Sequence, residues 1–509
     1  MPIILAIFYL LYFWLARRRL DWALGLIIFA LPFYEIRFSF LGVPWTILSG
    51  LIWTAILAWS TNLAERKWAG KISACPLALT WQFWRRIIFG REIILFLGFG
   101  ATALLAAGIQ PAALGAGKAY FLEPLIFFFL LNWSERFSPG ASEQNGPGRR
   151  IFFWALVFSA LAVSGLAVAQ KLFNAAWVPE FWPRVTGPYP YPNAIGLYLG
   201  PLVLILFGRL PALLPFRTRV ATRARNPLDI AGIKGFLADA QNNAKWIIVA
   251  ITIVLSLMAI FFARSEGAII GMLAGLLVIG LLTSKKWRWI TLAAVALVGF
   301  GLLSYGPARN YALEKITLRD LSGEIRKQQW RETWEMLTAS PANFALGAGL
   351  GGYQSAVAPF HQAGIFFNKD QDPDFRRKIV IFDDRYKAEH WQPVEVYLYP
   401  HNIFLNFWTE LGLAGLLLFI WIMVKSIKVL IADIRYPMSD KISTFKLQIT
   451  NLASGQDKYL KLGLLGALVV IIVHGLVDVP YFKNDLSLLF WLIIFLIGSA
   501  QARAAGKSK

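Results

Sequence analysis

His401, Asn402 and Glu410 stand within YPHNIFLNFWTELGLAGLLLF, residues 399–419, where a long polar segment gives way to a strongly apolar one. The histidine therefore sits at the mouth of a helix expected to cross a membrane, half in water and half against hydrocarbon. Its neutral imidazole takes up a proton near physiological pH, which suits a general base. The plainer alternative is a polar pair that only satisfies the free backbone groups of a helix start. Ionisable groups at membrane edges lean toward function, so His401 is carried forward as the candidate base.

A second kind of residue recurs near it. Arg184 lies in a proline-rich stretch, Arg264 at an abrupt turn between two apolar runs, and Arg326 and Arg331 in the polar segment that ends at His401. A guanidinium fork matches phosphate and diphosphate oxygens. Each arginine also has a structural alternative: Arg264 can snorkel to headgroups, Arg326 can pair with Glu324 or Asp320, and Arg184 can anchor its loop. A base among arginines points to transfer of a group from a phosphorylated lipid carrier.

The elements that must position these residues are helices in a bilayer. Of 509 residues 57% are hydrophobic and only 16% charged, and mean hydropathy is +0.56. Several apolar runs approach the roughly 20 residues a spanning helix needs. The expected spans are 3–16, 22–32, 43–60, 93–109, 119–133, 151–172, 193–208, 246–263, 267–283, 289–304, 403–424, 462–479 and 486–500. The fold class is thus an all-α polytopic membrane protein of twelve or thirteen transmembrane helices with one large extracytoplasmic loop. The first apolar run has no basic residues before it and no small-residue cleavage site after it, so no cleavable signal peptide is expected.

Fifty Lys and Arg against 29 Asp and Glu give a formal charge of +21. The basic clusters fall between apolar runs, so they read as topology signals and contacts to membrane lipids, and no nucleic-acid partner is expected. Assigning 17–19, 62–91, 134–150, 209–245, 284–288, 425–461 and the tail to the cytoplasm leaves 173–192, 264–266 and 305–400 outside. All segments then alternate without violation. A tryptophan-rich part of 62–91 is expected to lie along the cytoplasmic interface. The single Cys75 excludes an intramolecular disulfide and a thiolate cluster, and His361, His390, His401 and His474 lack metal-ligand spacing. No metal or cofactor is expected.

The chain divides into 1–172, N-terminal transmembrane helices; 173–304, central helices with the proline-rich external loop; 305–400, the large loop; and 401–509, the C-terminal helices. Within the loop, LSGEIRKQQWRETWEML has helical spacing, with Trp330, Trp334 and Leu337 on one face. Arg326 shares or borders that face, and Arg331 is turned about 100° from Trp330. The glycine-rich stretch that follows could bring backbone amides to a ligand.

Five pieces, taken in order, resemble the O-antigen ligase / polymerase superfamily of bacterial membrane proteins. They are RVTGPYPYPNAIGLYL (Arg184–Leu199), ARSEGAIIG, Arg326-x-x-x-Trp330 with Pro341 and the Gly347–Gly352 run, PHNIFLNFWTELGLAGLLL, and HGLVDVPY (His474–Tyr481). The resemblance covers roughly 184–495, within a related region of 173–500. Two departures stand out: Arg264 and Ser265 are exchanged relative to the family's S-R-G, and the charged segment 368–391 has no counterpart.

The resemblance implies a metal-independent, inverting glycosyltransferase with a GT-C-like fold in the cytoplasmic membrane of a bacterium, its active face extracytoplasmic. The donor would be an undecaprenyl-diphosphate-linked glycan and the acceptor lipid A core or another surface acceptor. By position, His401 would be the catalytic base and Arg264 and Arg326 would hold the diphosphate. Arg184 would assist, Arg331 is a rival for the diphosphate, and Asn402 would orient His401. Glu410 and Asp478 are expected to bond between helices. His390 is expected at the surface, and segment 368–391 is expected to shape acceptor choice or act as a lid. The same architecture serves a polysaccharide polymerase or a protein O-oligosaccharyltransferase. A multi-pass transporter is the alternative from another class; it is disfavoured because the polar residues gather at one face and not mid-membrane.

Overall fold

The computed structural model describes residues 2–40, 43–69, 84, 87–137, 147–174, 179–213, 230–381, 383–435 and 447–506. Most of the expected interfacial segment (70–83 and 85–86), and parts of the basic loops (214–229 and 436–446), lie outside the described residues.

The chain is an all-α polytopic membrane protein. Among the described residues, eight helices are long and apolar enough to cross a bilayer. Shorter or partly described helices Pro2–Arg18, Leu20–Phe29, Gly90–Ala106, Leu447–His474 and Asn484–Gly506 complete the series. Every expected span coincides with one of these helices. Leu20–Phe29 has ten residues, about 15 Å of helix against a hydrocarbon core of about 30 Å. It cannot cross alone. The only strands among the described residues form two small antiparallel ribbons, Arg37–Phe40 with Val43–Thr46 and Gly364–Phe366 with Trp391–Pro393.

Three helices form the inner frame: Asn193–Leu213, Glu266–Thr283 and Leu447–His474. Small residues let them approach closely, as packing within lipid requires. A Cβ added to Gly208 would lie 2.8 Å from the Gly463 Cα, and one added to Gly466 would lie 2.9 Å from Ile279 Cδ1. The peripheral helix Lys285–Ser304 has no buried residue. An apolar helix exposed all round is suited to hydrocarbon.

Two boundaries differ from the sequence-based expectation. The span expected to run to 479 ends at His474, because the chain turns at Gly475 and stays non-helical to Lys483. The span that follows His401 is longer than expected, Ile403–Arg435, and breaks at Gly412 with φ 72° and ψ 178°. That left-handed conformation favours glycine, and the backbone at Ala345–Leu346 occupies the space a side chain would need.

The large loop folds onto this break. Its main helix, Leu321–Thr338, starts where Asp320 accepts a hydrogen bond from the Gly323 amide at 3.2 Å. Met336 and Leu337 pack with Tyr353 and Val357 in a small core of their own. Pro341–Leu346 is capped by Ser340 and ends at Gly347.

Two expectations about the loop are corrected. His390 is buried, not at the surface: its ring stacks on Tyr386 at 4.0 Å and contacts Tyr386 O at 2.8 Å and Asp370 at 3.2 Å. The charged segment around it is a folded knot in which Asp372 accepts from Lys378 and Tyr386 at 2.6 Å each. Those two donors hold the Asp372 carboxyl at about 2, below its ordinary value. Most amides of the glycine run are also engaged within the fold. Ala348 N donates to Thr409 O, Leu350 N to Ala103 O, Gly351 N to Glu410 Oε2 and Gly352 N to Gly349 O. Glu410 thereby ties the loop to the helix break.

Candidate functional site

The polar groups meet where the large loop, the proline-rich segment and the turn 475–483 close over one end of the bundle. His401 occupies the corner. Its φ is +46°, a conformation uncommon outside glycine and costly unless its surroundings impose it. Three contacts do so. Trp330 Nε1 donates to Pro400 O at 3.0 Å, which pins the loop helix to the preceding residue. Ile403 N donates to Gly475 O at 2.7 Å. Asn402 Nδ2 donates to Leu476 O at 3.0 Å, while its Oδ1 accepts from Phe404 N and Leu405 N at 3.0 and 3.1 Å.

The Asn402 carboxamide is therefore engaged through both its oxygen and its nitrogen, as a helix cap and a tie to the next turn. It positions His401 through the backbone. This is the plainer of the two roles its sequence allowed.

Around the imidazole, Tyr397 and Tyr399 pack at ring-centroid distances of 5.4 and 4.7 Å. Its Nδ1 is buried without a hydrogen-bond partner and lies 3.9 Å from Asp478 Oδ1. The side chain keeps 22% of its surface exposed, and because Nδ1 is covered that exposure belongs to the rest of the ring. Burial pushes the imidazole below its ordinary pKa; Asp478 opposes this, and the charges of Arg326 and Lys483 reinforce it. A neutral imidazole with Nδ1–H toward a carboxylate leaves Nε2 as a proton acceptor.

Asp478 itself is buried and accepts from Val479 N at 2.8 Å. His474 stands four residues before it at the end of its helix, also buried, with Nδ1 unpartnered. Gly267 is the contact that brings the next helix in: a Cβ there would lie 2.5 Å from His474 Cδ2.

The arginines divide into three cases. Arg264 ends the turn before Glu266–Thr283 with φ +51° and is exposed. Arg184 is half-buried and holds that turn: Nε donates to Ala263 O at 2.9 Å and Nη2 to Asn193 Oδ1 at 2.8 Å. Burial pulls its pKa below the ordinary value, and the charge of Arg264 acts in the same direction, so the two guanidiniums stand near one another. Arg326 is partly buried and acts electrostatically on His401, His474 and Tyr397. Arg331, on the same helix, is exposed and acts on none of them. The sequence left that choice open.

Residues 251–420 match the family model described as O-antigen ligase. The chain carries an O-antigen ligase-type domain. The matched stretch takes in Arg264, Arg326, Arg331, His401 and Asn402. Arg184, His474 and Asp478 lie outside it, although the fold brings Asp478 to His401, His474 to Asp478 and Arg184 to the Arg264 turn. No curated protein matches the chain. The match supports, for this multi-pass membrane protein, a glycosyltransferase-like enzyme acting in general on polysaccharide or lipid-linked substrates.

Sequence reasoning missed two neighbours of His401. Asp478 was expected only to bond between helices, yet it is the carboxylate nearest the His401 ring nitrogen. Lys483 was not singled out at all. Their shared signal is position: both lie between two apolar runs, in VDVPYFKND, on the face that carries the large loop.

Proposed function

We propose that this protein transfers a glycan from an undecaprenyl-diphosphate carrier to a surface acceptor, lipid A core or its equivalent. The reaction takes place at the outer leaflet of a bacterial cytoplasmic membrane, and no metal takes part. His401 Nε2 accepts the proton of the acceptor hydroxyl as that oxygen attacks the anomeric carbon. The bond to the diphosphate oxygen breaks on the opposite face, which inverts the anomeric configuration and releases undecaprenyl diphosphate.

Asp478 stabilises the imidazolium that forms. Arg326 and Arg264 bind the diphosphate and offset the charge that grows on its leaving oxygen. Arg184 keeps the Arg264 turn in place, Asn402 keeps His401 at the head of its helix, and Arg331 is outside the reaction.

The observation that carries this reading is the His401 imidazole itself: held in a left-handed backbone, 3.9 Å from a buried carboxylate and within the field of Arg326. A base paired with a carboxylate beside a guanidinium fits glycosyl transfer from a diphosphate better than solute transport. The test is transfer of a lipid-diphosphate-linked glycan by the purified protein to a panel of acceptors in EDTA. A lipid A core product assigns ligase activity, and a lengthened lipid-linked glycan assigns polymerase activity instead. A glycosylated Ser or Thr assigns a protein acceptor. No product with any acceptor overturns the proposal.

A further inference from the structure

Lys483 sits at the end of the turn 475–483 with its ammonium 3.8 Å from the centre of the Tyr191 ring. The two come from distant parts of the chain: the turn before the last helix and the proline-rich segment before Asn193–Leu213. Among the described residues the ammonium forms neither an ion pair nor a hydrogen bond. Burial pulls its pKa below the ordinary value, while Asp478, Asp485 and Glu35 oppose that from a distance. The Tyr191 hydroxyl is buried and unpartnered, and it feels the charge of Asp478 and the Tyr399 phenol. Both groups therefore belong to the corner that holds His401.

An ammonium carries three donors and a phenol one. Burying the phenol without an acceptor is costly, and for the partly buried ammonium a ring face replaces only part of the solvation lost. The three distant carboxylates favour the charged lysine without using its donors. Such a group is matched by an anionic oxygen that arrives with the substrate. It acts as a point charge and not as a fork, which suits one phosphate oxygen.

We propose that Lys483, with the Tyr191 hydroxyl beside it, binds a phosphate oxygen of the substrate next to His401. This rests on the reading of the corner as a site for a lipid-diphosphate-linked glycan. The oxygen belongs either to the departing diphosphate or to a phosphate on the sugar side, and the chemistry of recognition is the same.

The experiment is equilibrium binding of farnesyl diphosphate and, separately, of glucose 6-phosphate to the full-length protein in detergent. Wild type is compared with Lys483→Met, Lys483→Arg, Tyr191→Phe and Arg326→Ala, with thermal unfolding recorded for each. Lys483→Met is expected to weaken one probe tenfold or more without lowering the unfolding temperature. Lys483→Arg, which keeps the charge, is expected to stay within threefold of wild type, and Tyr191→Phe to lose severalfold. Loss confined to farnesyl diphosphate assigns the oxygen to the leaving group; loss confined to the sugar phosphate assigns it to the sugar side; both support the site. Unchanged binding of both probes in Lys483→Met, while Arg326→Ala loses farnesyl diphosphate, overturns the Lys483 assignment and leaves the glycosyl-transfer reading standing. Failure of wild type to bind either probe overturns both.

Discussion

His401 Nδ1 and Asp478 Oδ1 face each other across 3.9 Å, from two elements tied by the Ile403 amide to Gly475 O and by the Asn402 carboxamide to Leu476 O. The gap is about 1 Å longer than a hydrogen bond. Active-site hydrogen bonds are often long in the unliganded state and tighten when substrate binds. Asp478→Asn is expected to lower kcat about 10²-fold and to leave the donor KM within a few-fold. Steady-state kinetics with a lipid-linked donor checks this; a change in KM alone would make Asp478 a binding residue.

The pH profile has a defined sign. Burial places the His401 pKa below its ordinary value, so the neutral base persists to lower pH and the acid limb of kcat/KM falls below about 6.5. Arg326 pushes that pKa down, so Arg326→Gln moves the limb to higher pH. Asp478 pushes it up, so Asp478→Asn moves the residual limb to lower pH. Opposite displacements of the two variants are the diagnostic result, and shifts in the same direction would separate the limb from His401.

The two arginines of the loop helix are expected to behave differently. Arg326→Ala removes a charge felt at His401 and is expected to cost about 10²-fold or more in kcat/KM, in line with loss of one preorganised donor at a developing anion. Arg331 is exposed, and Arg331→Ala is expected to stay within about twofold, as surface changes usually do. Parallel assays of the pair decide it, and equal losses would mean that the helix turns when substrate binds.

Asn402→Ala is expected to act through stability. It removes the acceptor for Phe404 N and Leu405 N, a loss of about 0.5–2 kcal/mol for a helix cap. Asn402→Asp keeps the cap and is expected to recover most of that loss. Thermal unfolding in detergent checks both; an alanine variant as stable as wild type but inactive would place the carboxamide on the substrate.

The bundle was legible in the sequence because hydrocarbon allows so few solutions: among the described residues each apolar run overlaps a helix, eight of them long and apolar enough to cross, with the loop helix at Leu321–Thr338 as its spacing indicated. What local pattern cannot carry is tertiary competition for the same groups. The glycine run looked open to a ligand, but Glu410, Thr409 and Ala103 take its amides. His390 looked solvated within a charged stretch, yet that stretch closes on itself through Asp372, Lys378 and Tyr386. The region after His474 read as helix because it is apolar, whereas the chain turns there and delivers Asp478 and Lys483 to the corner. His401 and Arg264 stood out because a polar residue at the end of an apolar run is conspicuous, and Arg184 and Arg326 because they lie in segments expected on the same face. Their partners were hidden because they lie far away in sequence.

The most direct test of the account is single-turnover transfer from a lipid-diphosphate-linked glycan by His401→Ala beside wild type, both purified, folded and saturated with donor. A general base contributes about 10²–10⁴-fold, so the account predicts a loss of that size with donor binding retained. Transfer by His401→Ala at the wild-type rate would contradict it.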